Sequence, residues 1–285
     1  MTKQERYIRN NEAIKSKAIY KIFQNQKKAF ADLLENEEKK SRIFVKKSII
    51  DDIIDPFLDD IKSEVPEYLL TVLPKIMREG AKDPIKRYKD LLPDDYALVF
   101  NISTAPATVY LQELSDLMLS QRDGSILKTT KDELRSIMRN GISDWDSYTA
   151  IAKRIREVDP FVFSRSRSKT IAVNEIGRSY WWANHEPGNV LSDDGYILEK
   201  SWQSSDDEKV RPTHNQNEEA WSIPFDEAFP WTDDQYAPST NDINCRCTST
   251  HKIVGIKNWK SVFAIEKWAT GRDIKKVFDF IKSRV

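Results

Sequence analysis

At 285 residues, with 45 Lys+Arg balanced by 45 Asp+Glu, the chain is long enough for one or two buried cores, and its charge alone points to no class of partner. No stretch approaches the roughly 20 apolar residues of a membrane helix, and the N-terminus is polar rather than signal-like, so we expect a soluble protein that is neither membrane-bound nor exported by the general route. The two cysteines are separated by a single residue, too short a loop for an unstrained disulfide, which leaves reduced thiols or a metal pair.

The zero net charge is a sum of opposed blocks. Residues 1–47 carry thirteen Lys/Arg against six Asp/Glu, residues 186–242 carry three against fourteen, and residues 256–285 carry eight against three. Segregated charge of this kind describes partners rather than fold.

In chain order, Ile14, Ala18 and Ile22 recur every fourth residue and Phe30, Leu33 and Leu34 continue the stripe, predicting an amphipathic helix over about 3–47 with a break near Asn25. Its lysines, among them Lys15, Lys17, Lys21, Lys27 and Lys28, either meet phosphates or an acidic protein surface, or form an ordinary solvated face. Pro56 predicts a break or a helix start in the acidic run 51–60. Pro66 and Pro74 divide the next apolar segment into short helices, and 80–93 reads as a loop and soft domain boundary.

A helix through Val109, Leu111, Leu114, Leu117 and Met118 follows. Thr130-Lys131-Asp132-Glu133 reads as a capping box for a helix closed by Gly141, and Ser143 as the cap of the next one, which Pro160 ends. A further helix spans about 164–183. Beyond Gly188 the pattern becomes one of short extended pieces at 196–202, 220–223 and 245–254, the last placing Cys247, Ser249, His251 and Ile253 on one face. Residues 259–285 return to helix.

The least replaceable side chains cluster at 202–247: Trp202, Asp206, Arg211, His214, Phe229 and Asn244-Cys245-Arg246-Cys247. Together with Ile171-Ala172-Val173-Asn174-Glu175 on a helix, this ordered set resembles the phage Mu protein F-like family of minor head and head-morphogenesis proteins of tailed bacteriophages, over roughly residues 130–255. The family more often has Arg-Thr where this chain has Val173-Asn174, and a Gly-Asp turn where it has residues 237–242. The resemblance implies a component of the virion head near the portal, made in the host cytoplasm, with portal, capsid or scaffold proteins as partners. It also implies a role in DNA packaging or ejection, and some members bind DNA without sequence preference.

Two readings of the cluster stand side by side. Thiolate and imidazole are the ligands zinc prefers, which makes His214, Cys245, Cys247 and His251 a candidate structural site. Yet a Cys-x-Cys spacing is shorter than that of structural fingers, and a buried polar cluster under Trp202 is the expected role. A hydrolytic site at Asp206, Arg211, His214 and Glu175 needs a nucleophile or metal with its own signature, and neither a Gly-x-Ser-x-Gly nor a His-Glu-x-x-His motif occurs. Arg211 is expected instead to pair with Glu175 or Asp206. Arg165, Arg167, Lys169 and Arg178, interleaved with Tyr180, Trp181 and Trp182, suggest either a nucleic-acid surface or, as we expect of the aromatics, helix packing.

The expectation is therefore an α+β protein. A helical N-terminal region (1–95) serves for docking, a helical pair plus a small module of short strands follows (96–255), and a basic helical tail ends the chain (256–285). It acts as a non-enzymatic minor head protein without a required cofactor. The alternative is a metal-dependent nuclease or other hydrolase acting on DNA.

Overall fold

The computed structural model describes residues 2–41, 50–93, 96–120, 125–144, 146–157, 160–205, 208–238 and 243–257. Expectations for Asp206, for residues 239–242 and for the C-terminal helix fall outside the described residues. The fold is α+β. Its elements are α1 (Lys3–Ser41), α2 (Ile50–Ile61), α3 (Glu64–Lys89), α4 (Ala105–Leu119), α5 (Ile126–Ser143), α6 (Tyr148–Glu157), a 3-10 turn at Phe161–Phe163, α7 (Arg165–Asp193), β1 (Tyr196–Gln203), α8 (Pro212–Glu219), β2 (Ile223–Pro224) and β3 (Thr248–Ile256). The chain forms two compact units, residues 1–72 with 103–173 and residues 73–102 with 174–285.

The first unit is helical. α1 runs unbroken through Asn25 and buries Ile8, Glu12, Ile19, Phe23, Gln26, Phe30 and Leu34, spaced by threes, fours and one seven, as a single helix face requires. The stripe expected through Ile14 and Ala18 is rotated away from the core, and Ile14 is 59% exposed. α1 packs on α6 and on the 3-10 turn, while α2 packs on α5. The Phe30 and Phe57 rings lie 4.9 Å apart. Gln24 donates to the Phe163 carbonyl at 3.1 Å and Gln26 to Glu64 at 2.7 Å.

Arg167 is a buried cation in this unit, donating to the carbonyls of Val162 (2.7 Å) and Ile126 (2.8 Å) and to the Thr130 hydroxyl (2.9 Å), with its guanidinium over the Phe23 ring. Burial lowers its pKa to about 10. Carbonyls rather than carboxylates satisfy the charge, so its donors are spent inside the fold.

The break read at Pro56, the division at Pro74 and the loop over 80–93 do not occur. Pro56, Pro74, Pro84 and Pro187 all lie inside helices, and α3 runs from Glu64 to Lys89 through the segment read as a loop. A proline in a helix interior costs about 3 kcal/mol, whereas each fully buried large apolar side chain contributes about 1.5–3 kcal/mol. α3 buries Val65, Leu69, Leu73, Ile76, Met77 and Tyr88, enough to outweigh its two interior prolines. α5 is capped one turn earlier than read. The Ser125 hydroxyl accepts from Lys128 N–H (3.1 Å), and Thr130, already helical, donates back to Ile126. Ser147, not Ser143, caps α6 through Ala150 N–H, helped by the Glu38 carboxylate on Thr149 N–H at 2.5 Å.

The second unit holds the sheet, of order β2-β1-β3 and antiparallel throughout. β1 alternates strictly, turning Tyr196, Leu198, Lys200 and Trp202 inward. Ser249, His251 and Ile253 share one face of β3, as the period of two predicts. An irregularity at Ile197/Leu198 shifts the register, with Ile197 opposite Gly255 and Leu198 opposite Ile253. One core joins Tyr88, Leu92, Leu98, Leu191, Tyr196, Leu198 and Phe225, and a second joins Trp202, Phe229, Ala237, Cys245 and Cys247.

Within this unit α3 meets α7 at Gly80, whose carbonyl accepts from Asn184 at 3.1 Å. A Cβ on Gly80 would lie 2.1 Å from the Tyr180 carbonyl oxygen, a backbone atom that cannot rotate away. Gly80→Ala is therefore expected to lower unfolding free energy in urea by about 2 kcal/mol or more. Gly255→Ala, whose Cβ finds its nearest neighbour at 3.4 Å, should change it by no more than about 0.5 kcal/mol. Equal effects would contradict this packing.

Candidate functional site

Three separate stretches of the second unit converge under the indole of Trp202, which β1 turns inward. α8 begins with Arg211 in an extended conformation at its N-cap and Pro212 at its first position, where a missing N–H costs nothing. His214, one turn in, is 1% exposed. The Arg211 guanidinium donates to the Ile243 carbonyl at 2.9 Å and so ties the start of α8 to the chain leading into Asn244-Cys245-Arg246-Cys247. Asn244 has φ 60°, a left-handed conformation that Asn tolerates better than most residues, and its N–H donates to the Asn174 side chain at 2.8 Å. The turn made there sends Cys245 and Cys247 inward.

His214 Nδ1 lies 3.3 Å from Cys247 Sγ and 3.6 Å from Cys245 Sγ, and the three candidate ligand atoms fall within 4.8 Å of one another. The Trp202 ring stands edge-on to His214 (5.2 Å, 66°) and to Phe229 (5.0 Å, 81°). Both cysteines are buried and free of disulfide. Hydrogen bonding with Cys245, then burial, pushes the Cys247 thiol pKa up; the Trp202 side chain and the Ser205 amide act in the opposite sense. A protonated, buried thiol is a poor nucleophile. By residue type, this cluster is where a metal ion can be held.

His251, expected as a fourth ligand, lies elsewhere. Its Nδ1 accepts from the Tyr88 hydroxyl and its Nε2–H donates to the Asn184 carbonyl at 2.9 Å, so one tautomer satisfies both contacts and joins α3, α7 and β3. His185 stacks on Phe225 (4.2 Å, 14°) beside it. Gly188 leaves room for this group, since a Cβ there would meet the Phe225 ring at 2.4 Å. Lys200, which sequence reading missed, is 1% exposed, donates to the Gln235 carbonyl at 2.7 Å and lies over the Phe225 and Phe229 rings; burial lowers its pKa to about 8.

Of the two pairings expected of Arg211, the one with Asp206 falls outside the described residues and the one with Glu175 does not form. Glu175, buried, faces Arg178 at 3.9 Å rather than Arg211, and burial raises its pKa. Asn174, at a position where the chain departs from the family pattern, is the residue that meets the signature turn. Asn217 was also missed. It is buried, donates to the Thr232 hydroxyl at 2.9 Å and accepts from Trp231 N–H at 3.2 Å. Its only sequence signal is its position three residues after His214 in a short polar helix. Tyr180 and Trp181 are buried, as expected of packing aromatics.

Of the basic side chains, Lys17, Lys21, Lys28, Arg165 and Lys169 are exposed, and Lys15 and Lys27 are half-buried. Arg165 sits over the Tyr20 ring at 5.0 Å. Arg167, expected in a phosphate-facing cluster, is buried and committed to carbonyls.

Burial holds the pKa of His251 down at about 4 and that of His185 well below its ordinary value. From about pH 6.5 down to these folded-state values, the unfolded chain binds protons at both rings and the folded chain does not. Stability therefore falls as pH falls, by about 1.4 kcal/mol per pH unit for each histidine. Urea unfolding between pH 7 and 5 should show this slope, and His251→Gln should remove one histidine's share while lowering stability at pH 7. A flat profile in the unmodified chain would contradict the neutral, buried pair.

Residues 132–250 match the family model described as phage Mu protein F like protein. No curated protein and no solved structure gives a significant match. The matched stretch takes in α5 to α7, β1, α8 and the Asn-Cys-Arg-Cys signature leading into β3, and the chain thus carries a phage Mu protein F-like domain over residues 132–250.

Proposed function

We propose that this chain is a minor head protein of a tailed phage that docks at the portal vertex, contacts capsid or scaffold proteins during assembly and touches DNA during packaging or ejection. The phage Mu protein F-like domain carries the reading, since the family is one of phage head morphogenesis. On this reading the chain is a component of the virion, assembled in the host cytoplasm. No helix among the described residues is long and apolar enough to cross a membrane.

We read the protein as acting by binding rather than catalysis. The cluster with nucleophilic side chains is closed from solvent. The DNA contact is supported by α1. At 3.6 residues per turn, Lys3, Arg6, Lys17, Lys21 and Lys28, all exposed, fall within an arc of about 60° opposite the buried face. No acidic residue interrupts that strip before Asp32. Such a strip attracts a phosphate backbone without reading sequence.

In the encoding phage, disruption of the gene should leave heads absent, empty or misassembled while tails still form; a normal yield of filled heads would contradict the assignment. For the DNA contact, gel-shift affinity should be indifferent to sequence and fall steeply with salt. Lys17→Glu, Lys21→Glu and Lys28→Glu together should flatten the log-affinity against log-salt slope by about 3. An unchanged slope would remove α1 from that role.

A further inference from the structure

We infer that His214, Cys245 and Cys247 are the protein ligands of a zinc ion. Zinc takes sulfur at about 2.3 Å and imidazole nitrogen at about 2.0–2.1 Å, so tetrahedral geometry sets their N···S separation at about 3.5 Å. The observed separations are 3.3 Å and 3.6 Å. The side chains stand where a bound ion would hold them.

Hydrogen bonding alone accounts for the cluster less well. A neutral imidazole nitrogen has one lone pair or one proton to offer, and here two sulfurs converge on the same Nδ1. A cation at their centre satisfies all three groups together. The surroundings fit a metal thiolate as well. The Trp202 indole N–H is buried beside the cluster with no hydrogen-bond acceptor of its own. The donor set of two thiolates and one imidazole selects zinc over the hard cations magnesium and calcium.

Three protein ligands leave one coordination position for water. On binding, each thiol gives up its proton to solvent and no electron is transferred. The site lies within the second unit alone, and the inference does not depend on the role proposed in the phage head.

The full chain, purified under reducing conditions without chelator, should contain about one zinc per molecule. Its two thiols should react slowly with a thiol reagent until a chelator is added, and the chelator should lower Tm. Cobalt added to chelator-stripped, refolded protein should give thiolate-to-metal charge-transfer absorption, a readout that needs no variant. Cys247→Ser and His214→Ala should weaken metal affinity beyond the roughly 10–100-fold that loss of an outer-shell partner costs. His251→Gln should keep the metal. The inference is overturned if the reduced, folded chain takes up neither zinc nor cobalt, or if the double variant Cys245→Ser, Cys247→Ser retains its zinc.

Discussion

The meeting of His214 with two sulfurs beneath Trp202 is the constraint on which the second core depends. Regular structure supplies little there. β2 has two residues, α8 has eight, and residues 225–238 and 243–247 before β3 form turns, bends and irregular chain. A three-stranded sheet with so short an edge gains limited stability from its ladders. Specific side-chain contacts hold the rest, including Arg211 on the Ile243 carbonyl, Asn217 on the turn at 231–232, and Asn174 on the N–H of Asn244, which sits at positive φ.

This explains why the signature has the residue types it has. Asn244 is tolerated at positive φ, Cys245 and Cys247 are small enough to pack under an indole, and Arg246 falls between them on the other side of the extended chain. Pro212 starts α8 at a position where proline costs nothing, so His214 enters on a fixed turn. The signature thus sets geometry first, and any chemistry at the site follows from that geometry.

The first strand was legible in the sequence almost to the residue, because alternation at Tyr196, Leu198, Lys200 and Trp202 is a local property with a period of two, whereas the other two strands begin about three residues later than the pieces read at 220–223 and 245–254. Helix boundaries were less so. Pro56, Pro74, Pro84 and Pro187 are local signals to stop, and each is overridden by burial that depends on residues distant in sequence. The face of α1 was misplaced for a related reason, since Ile14 fits a four-residue repeat but the core selects Ile19, Phe23 and Phe30. Three of the four candidate metal ligands come together, whereas His251 is claimed by Tyr88 and Asn184, partners that no spacing rule connects to it. Arg167 likewise read as a surface cation because a single sequence does not mark a guanidinium satisfied by carbonyls.

Charge and core divide the work of α1. Its buried face organises the first unit, and the opposite face, basic from Lys3 to Lys28, is left to solvent. The most direct test of the head-protein account is quantitative mass spectrometry of purified proheads and mature particles from the phage that encodes this chain. The account predicts the chain in both, at far fewer copies than the major capsid protein. Its absence from proheads and particles alike would contradict it.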